Sequence, residues 1–202
     1  MNRDTRLLER GLRLEYLTLG WNVVGTVIVV SAALAAQSVA LAGFGLDSLI
    51  EIVASLVVVW QLKGVHGQRE PIAVRVIGGA FVLLALYVAA QSTHTLLTQA
   101  RPATSSIGIT WLAATLLVML GLAWGKHQTG TQLGNRVLLI EGRVTLIDAY
   151  LAGAVLAGLI LNTVLGWWWA DPLAGLVIVY YGLREAWHIW QEERQEPARA
   201  SD

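Results

Sequence analysis

The sequence contains no cysteine, and only four prolines and two phenylalanines among its 202 residues. Without thiols there is neither a disulfide framework nor a thiolate-bound metal. Charge is scarce too: Asp, Glu, Lys and Arg make up 14% of the residues, against about 25% in an ordinary soluble domain. That charge sums to zero, so no basic face of the kind that binds nucleic acid is available. The short motifs of catalysis are also missing. No Walker loop, HExxH, GxSxG or GxGxxG occurs, so nothing anchors an enzyme reading and no cofactor is expected.

What fills the chain is apolar: 55% hydrophobic residues, with nine Trp and twenty Gly, and a mean hydropathy of +0.59. Such hydrophobicity excludes disorder. A helix needs about 20 mostly apolar residues to cross a bilayer, and six segments supply them: Glu15–Ala36, Ser38–Leu62, Ile72–Leu97, Ile107–Trp124, Val137–Leu161 and Trp167–Trp190. The expected fold is an all-α polytopic membrane protein of six transmembrane helices. Residues 1–14 are expected as a cytoplasmic N-terminal segment, 15–190 as the membrane domain, and 191–202 as a short, frayed cytoplasmic tail. The segments KGVHGQREP, QARPATSS and GKHQTGTQLGN read as turns, being polar or rich in Gly and Pro. The Arg-rich start followed by an apolar run ending Ala33-Leu34-Ala35 has the outline of a signal peptide. The run is longer than the roughly 7–15 residues of an h-region, which favours a first span.

Orientation follows from Lys and Arg. Of the 14 such residues only Arg101 falls on one side. Arg3, Arg6, Arg10, Arg13, Lys63, Arg69, Arg75, Lys126, Arg136, Arg143, Arg184, Arg194 and Arg199 fall at or near the other, which makes both termini cytoplasmic. Trp60, Trp124, Trp167–Trp169, Trp187 and Trp190 lie near span ends, at interface depth.

Against this background three acids stand out. Asp47 and Glu51 sit near the middle of span two, in GFGLDSLIEIVASL, and Asp148 near the middle of span five, in EGRVTLIDAYLAG. Each such carboxylate costs about 2.5–3.5 kcal/mol at the centre of a spanning helix. Intramembrane acids line ion pathways or pair with ions, the alternative being hydrogen-bonded packing of protonated acids. Asp47 and Glu51, four residues apart, share a helical face. Two ionised carboxylates there repel unless a cation lies between them or one holds a proton. Those are the two states through which an ion/proton exchanger alternates. Hard oxygen ligands suit a small divalent cation, and Asp148 completes a three-carboxylate set. Ser48 and Thr145 offer hydroxyl oxygens, and Asn22 an amide oxygen or an interhelical hydrogen bond.

An internal echo supports pairing spans two and five. Ser48-Leu49-Ile50-Glu51 reads like Thr145-Leu146-Ile147-Asp148, each in the second span of a three-span half. Two three-span halves insert with opposite topology, the pattern of inverted-repeat transporters. The remaining polar residues read differently. Glu141 is expected to be solvated or paired with Arg143 or Arg136, or to serve access. Glu15 is expected at the interface, and Asp171 as a cap on the start of span six. His94 reads as interfacial, while His66, His127 and His188 show no ligand spacing. Gly78/Gly79, Gly153/Gly158 and Gly175/Gly182 are expected where helices approach closely.

These features together resemble the cation diffusion facilitator family of metal-ion/proton antiporters. LAGFGLDSLIEIVASL is similar to that family's second-span signature, which places metal ligands at Asp47 and Glu51. EGRVTLID supplies Glu141 and Asp148 at the family's fifth-span spacing, with Val144 where the family has His. WWWADPLAGLVIVYYG is similar to the segment opening the family's last helix. The likeness is to the transmembrane domain, and the family's cytoplasmic C-terminal domain is not expected. The resemblance alone implies zinc; with Val144 in place of His the ligands are all oxygen and lean toward manganese, iron(II), cobalt or another oxygen-tolerant ion. It also implies a homodimer through the membrane helices.

The function expected is secondary transport: export of a divalent cation from the cytoplasm, in exchange for protons, across a membrane that the short loops suggest is a prokaryotic inner membrane. The alternatives are a non-transporting scaffold or metal sensor derived from a transporter, and a proton or monovalent-ion pathway.

Overall fold

The computed structural model describes residues 3–62 and 70–199. The second turn, with Lys63, His66 and Arg69, lies outside them. Six helices follow one another: α1 (Arg3–Ala36), α2 (Val39–Leu62), α3 (Glu70–Thr98), α4 (Ser106–Leu133), α5 (Arg136–Leu165) and α6 (Ala170–Arg199). Five of the six, α1 to α5, contain stretches long and apolar enough to cross a membrane. By that measure α6 falls short, since Asp171, Arg184 and Glu185 interrupt its apolar stretch.

Where helices stop, local chemistry stops them. Gly134 adopts φ 61° after α4 and directs its N–H to the carbonyls of Gly130 and Thr131. Asn135 then accepts from the Leu138 N–H at 2.9 Å to start α5. This puts the turn two residues long, at Gly134–Asn135, rather than across GKHQTGTQLGN. The polar stretch from Lys126 to Leu133 is helical, with Thr129 buried and its hydroxyl bonded to Gly125 O at 2.8 Å. The expected end segments are also helical where described: α1 begins at Arg3, and α6 runs to Arg199 through a QEERQE sequence of strong helix formers.

Packing is most extensive between α4 and α5, α3 and α6, and α1 and α2. Gly158 shows why α5 and α6 meet closely, because a Cβ there would lie 3.0 Å from Ala174 Cβ. Gly79, expected at such an approach, has nothing within 4 Å of its added Cβ. The core is built on Phe44, Phe81, Leu112, Leu151 and Ile178.

The distribution of polarity is that of a membrane bundle. Large apolar side chains such as Leu34, Leu83, Leu97 and Leu117 point outward, while Glu15, Asn22, Asp47, Glu51, Lys126, Glu141 and Asp148 are buried. Trp60 and Trp167 are exposed near helix ends, as interface anchors are, whereas the exposed Trp124, Trp187 and Trp190 lie within α4 and α6, which continue to Leu133 and Arg199. Trp21 differs: it stacks on Trp111 with centroids 4.7 Å apart and donates to Thr115 Oγ1 at 3.1 Å. Apolar outside and ionisable inside, the chain is an integral membrane protein.

Candidate functional site

Buried polar residues line one stripe each of α1, α2 and α5. On α2 residues 47, 51 and 55 recur every four positions, on α5 residues 141, 145 and 148, and on α1 residues 15, 18 and 22. α4 adds Lys126. The stripes face one another and form a column through the bundle. From Glu141 to Asp148 it spans about 10 Å at 1.5 Å per residue.

Its upper layer lies at the end of the bundle shared by the start of α1, the end of α2, the end of α4 and the start of α5. There Lys126 is 0% exposed. Its Nζ stands 3.2 Å from Glu15 Oε2 and 3.0 Å from Glu141 Oε1, and donates to Thr145 Oγ1 at 3.0 Å. Of the three protons an ammonium has to give, two go to Glu141 Oε1 and Thr145 Oγ1 of α5, and the Glu15 carboxylate of α1 adds an ion pair. Ser55 of α2 donates to Glu141 Oε1 at 3.2 Å. Such pairing is what permits a fully buried charge.

The middle layer is Glu51. Thr145 Oγ1 donates to its Oε1 at 2.8 Å and Asn22 Nδ2 to its Oε2 at 3.0 Å. Thr145 therefore accepts from Lys126 and donates to Glu51, linking the layers through one hydroxyl. The lowest layer holds Asp47 and Asp148, both buried. The Asp148 carboxyl interacts with those of Asp47 and Glu51. Neither Asp148 oxygen has a hydrogen-bond donor. Among the described residues no three His, Asp or Glu side chains stand closed in metal-holding geometry, so the three acids adjoin one another without forming a finished cage.

The expected site residues thus come together, in differing roles. Asp47, Glu51 and Asp148 meet in the bundle interior. Thr145 and Asn22 serve Glu51, Asn22 through its amide nitrogen. Ser48 does not join them, because its hydroxyl donates to Phe44 O in its own helix at 3.1 Å. Val144 packs in the hydrophobic core. Glu141 pairs with Lys126 rather than with Arg143, whose Nε lies 3.9 Å from Glu185 Oε1.

Three expectations are corrected. Glu15 is not interfacial but 0% exposed and ion-paired. Lys126 is not a loop residue on the cytoplasmic margin but the centre of the upper layer. The signal that reveals it is the spacing Thr115, Met119, Leu122, Lys126, Thr129, a helical stripe whose members are all buried. Asp171 opens α6 yet caps a different helix. Its carboxylate receives the N–H groups of Val39 and Ala40 at 2.9 and 3.2 Å and the Ser38 hydroxyl, all at the start of α2. His94, His127 and His188 are exposed and stand outside the column.

The model of the cation efflux transmembrane domain matches residues 16–196. The match takes in every member of the column except Glu15. An apolar bundle with acids at its heart and a family match running from α1 into α6 converge on one conclusion: the chain belongs to the cation efflux family, whose members move cations across membranes.

Proposed function

We propose that this protein is a secondary transporter that exports a divalent metal cation from the cytoplasm in exchange for protons, with Asp47, Glu51 and Asp148 as the cargo's ligands. The observation that carries the reading is Asp148. It is 1% exposed, its two oxygens lack a donor, and two further carboxyls adjoin it. Such a group is stable when it shares a cation or a proton with its neighbours. Those two conditions are the loaded and the returning states of an exchanger. With Val144 in the core the ligands are oxygen alone, which suits manganese, iron(II), cobalt or zinc without selecting strongly among them. Six spans in a 3+3 arrangement with both termini cytoplasmic complete the proposal, supported by the bias of Lys and Arg toward one side. So do a prokaryotic inner membrane as location and a second copy of the chain as partner.

The test is metal-driven proton flux in proteoliposomes carrying an internal pH reporter. Asp148→Asn and Asp47→Asn are expected to abolish the flux while the protein still inserts and elutes normally. Full flux in either variant rejects the ligand assignment. Flux indifferent to divalent metal points to a proton or monovalent-ion pathway, and no saturable metal binding points to a scaffold.

A further inference from the structure

Transport by the three acids leaves Glu15, Lys126 and Glu141 without a task. As a mere fastening the cluster is a poor choice, because apolar packing in place of a buried ionic group is commonly neutral or stabilising. Its chemistry is that of a cation site. Oxygens of Glu15, Glu141 and Thr145, drawn from two helices, surround one positive nitrogen at 3.0–3.2 Å. Three buried oxygens here, Glu15 Oε1 and Oε2 and Glu141 Oε2, have no hydrogen-bond partner. The cage thus holds more acceptor capacity than the ammonium uses. The cation in it is tethered from a third helix by a flexible four-carbon stem, and Thr145 Oγ1 joins the cage directly to Glu51.

We propose that Glu15 and Glu141 form a second divalent-cation site, an entry site at the upper end of the column that the Lys126 ammonium fills when cargo is absent and vacates when cargo arrives. The inference rests on the transport reading only for where the ion goes next. A swing of the lysine stem exchanges a monovalent tethered cation for a divalent free one, so the two carboxylates are never left bare in the membrane. Because the ammonium stands between that end of the bundle and Glu51, the same swing opens and shuts the route to the lower acids.

The test is Mn(II) binding to the full chain in detergent, measured by equilibrium dialysis and elemental analysis. Lys126→Met keeps the carboxylates and removes the tethered competitor. It is expected to bind one more Mn(II) per chain than wild type in the range where wild-type entry binding is about tenfold weaker or more. Adding Glu15→Gln is expected to remove that extra ion. Asp148→Asn in the Lys126→Met background is expected to remove the lower ion and keep the extra one. Loss of the transport site and loss of the entry site are therefore read separately. Equal Mn(II) binding by wild type and Lys126→Met, or an extra ion that survives both Glu15→Gln and Glu141→Gln, overturns the proposal. Should Lys126→Met fail to elute as a single species, wild type decides. Lys63 and Lys126 are its only lysines, and reductive methylation of Lys126, read by mass spectrometry, is expected to accelerate at saturating Mn(II). An unchanged rate overturns the proposal.

Discussion

The upper and lower layers of the column use the same functional group in opposite ways. Above, Glu15 and Glu141 share a lysine supplied by α4, and that cation is built into the chain. Below, Asp47 and Asp148 adjoin Glu51 with no basic side chain among the contacts described. A carboxylate buried beside its own counter-charge is tolerated by the fold, and removing one partner of such a pair is costly. One buried beside other carboxylates weakens the fold until something mobile arrives. The contrast separates acids whose charge is answered by a cation belonging to the chain from acids that have none of the chain's own beside them.

Single substitutions can break this contrast. The largest effect is expected at Glu141. Glu141→Gln leaves Lys126 with one carboxylate in a fully buried site, and breaking such a pair costs about 3–5 kcal/mol. The melting temperature in detergent should fall sharply. Asp148→Asn removes a charge that has only like-charged neighbours, so its melting temperature should hold or rise. Equal destabilisation by the two changes would erase the distinction between the layers.

Thr145→Val comes next, since it cuts the hydroxyl that joins the layers. It leaves one Lys126 proton and one Glu51 oxygen without their partner, a loss of about 1–3 kcal/mol. The loss should be visible as a lower unfolding temperature together with slower flux. A smaller change is expected from Asp171→Ala, far from the column. Losing a helix cap costs about 0.5–2 kcal/mol, and metal affinity should stay at the wild-type value. Altered affinity in that variant would show that the cap and the acids are coupled.

The six helices, five of them apolar enough to span a membrane, and the lower acids were legible because both depend on one-dimensional signals. A run of apolar residues is visible without a partner, and so is a carboxylate in its middle. Asn22 and Thr145 were legible as candidates for the same reason, though their bonds to Glu51 were not. Lys126 was misread because Gly125, Gly130 and the polar residues between them look like a turn, when the helix continues to Leu133. Its partner Glu15 belongs to the first helix, and no local pattern ties the two. Asp171 sits where a cap for its own helix is expected. That it caps α2 depends on the start of α6 lying beside the start of α2, which is a matter of tertiary packing. The internal echo shows the same limit, for its two hydroxyls are equivalent in sequence and not in use. Ser48 bonds back to Phe44 O, whereas Thr145 crosses to Glu51.

The Asp171 carboxylate is a strap between two helices distant in the chain. One oxygen takes the N–H groups of Val39 and Ala40 at the head of α2, and the other takes the Ser38 hydroxyl. Sliding α6 along its axis by even one residue, about 1.5 Å, would pull that carboxylate off its donors. The heads of α2 and α6 are therefore yoked, and a displacement of either helix must carry the other with it as one lever.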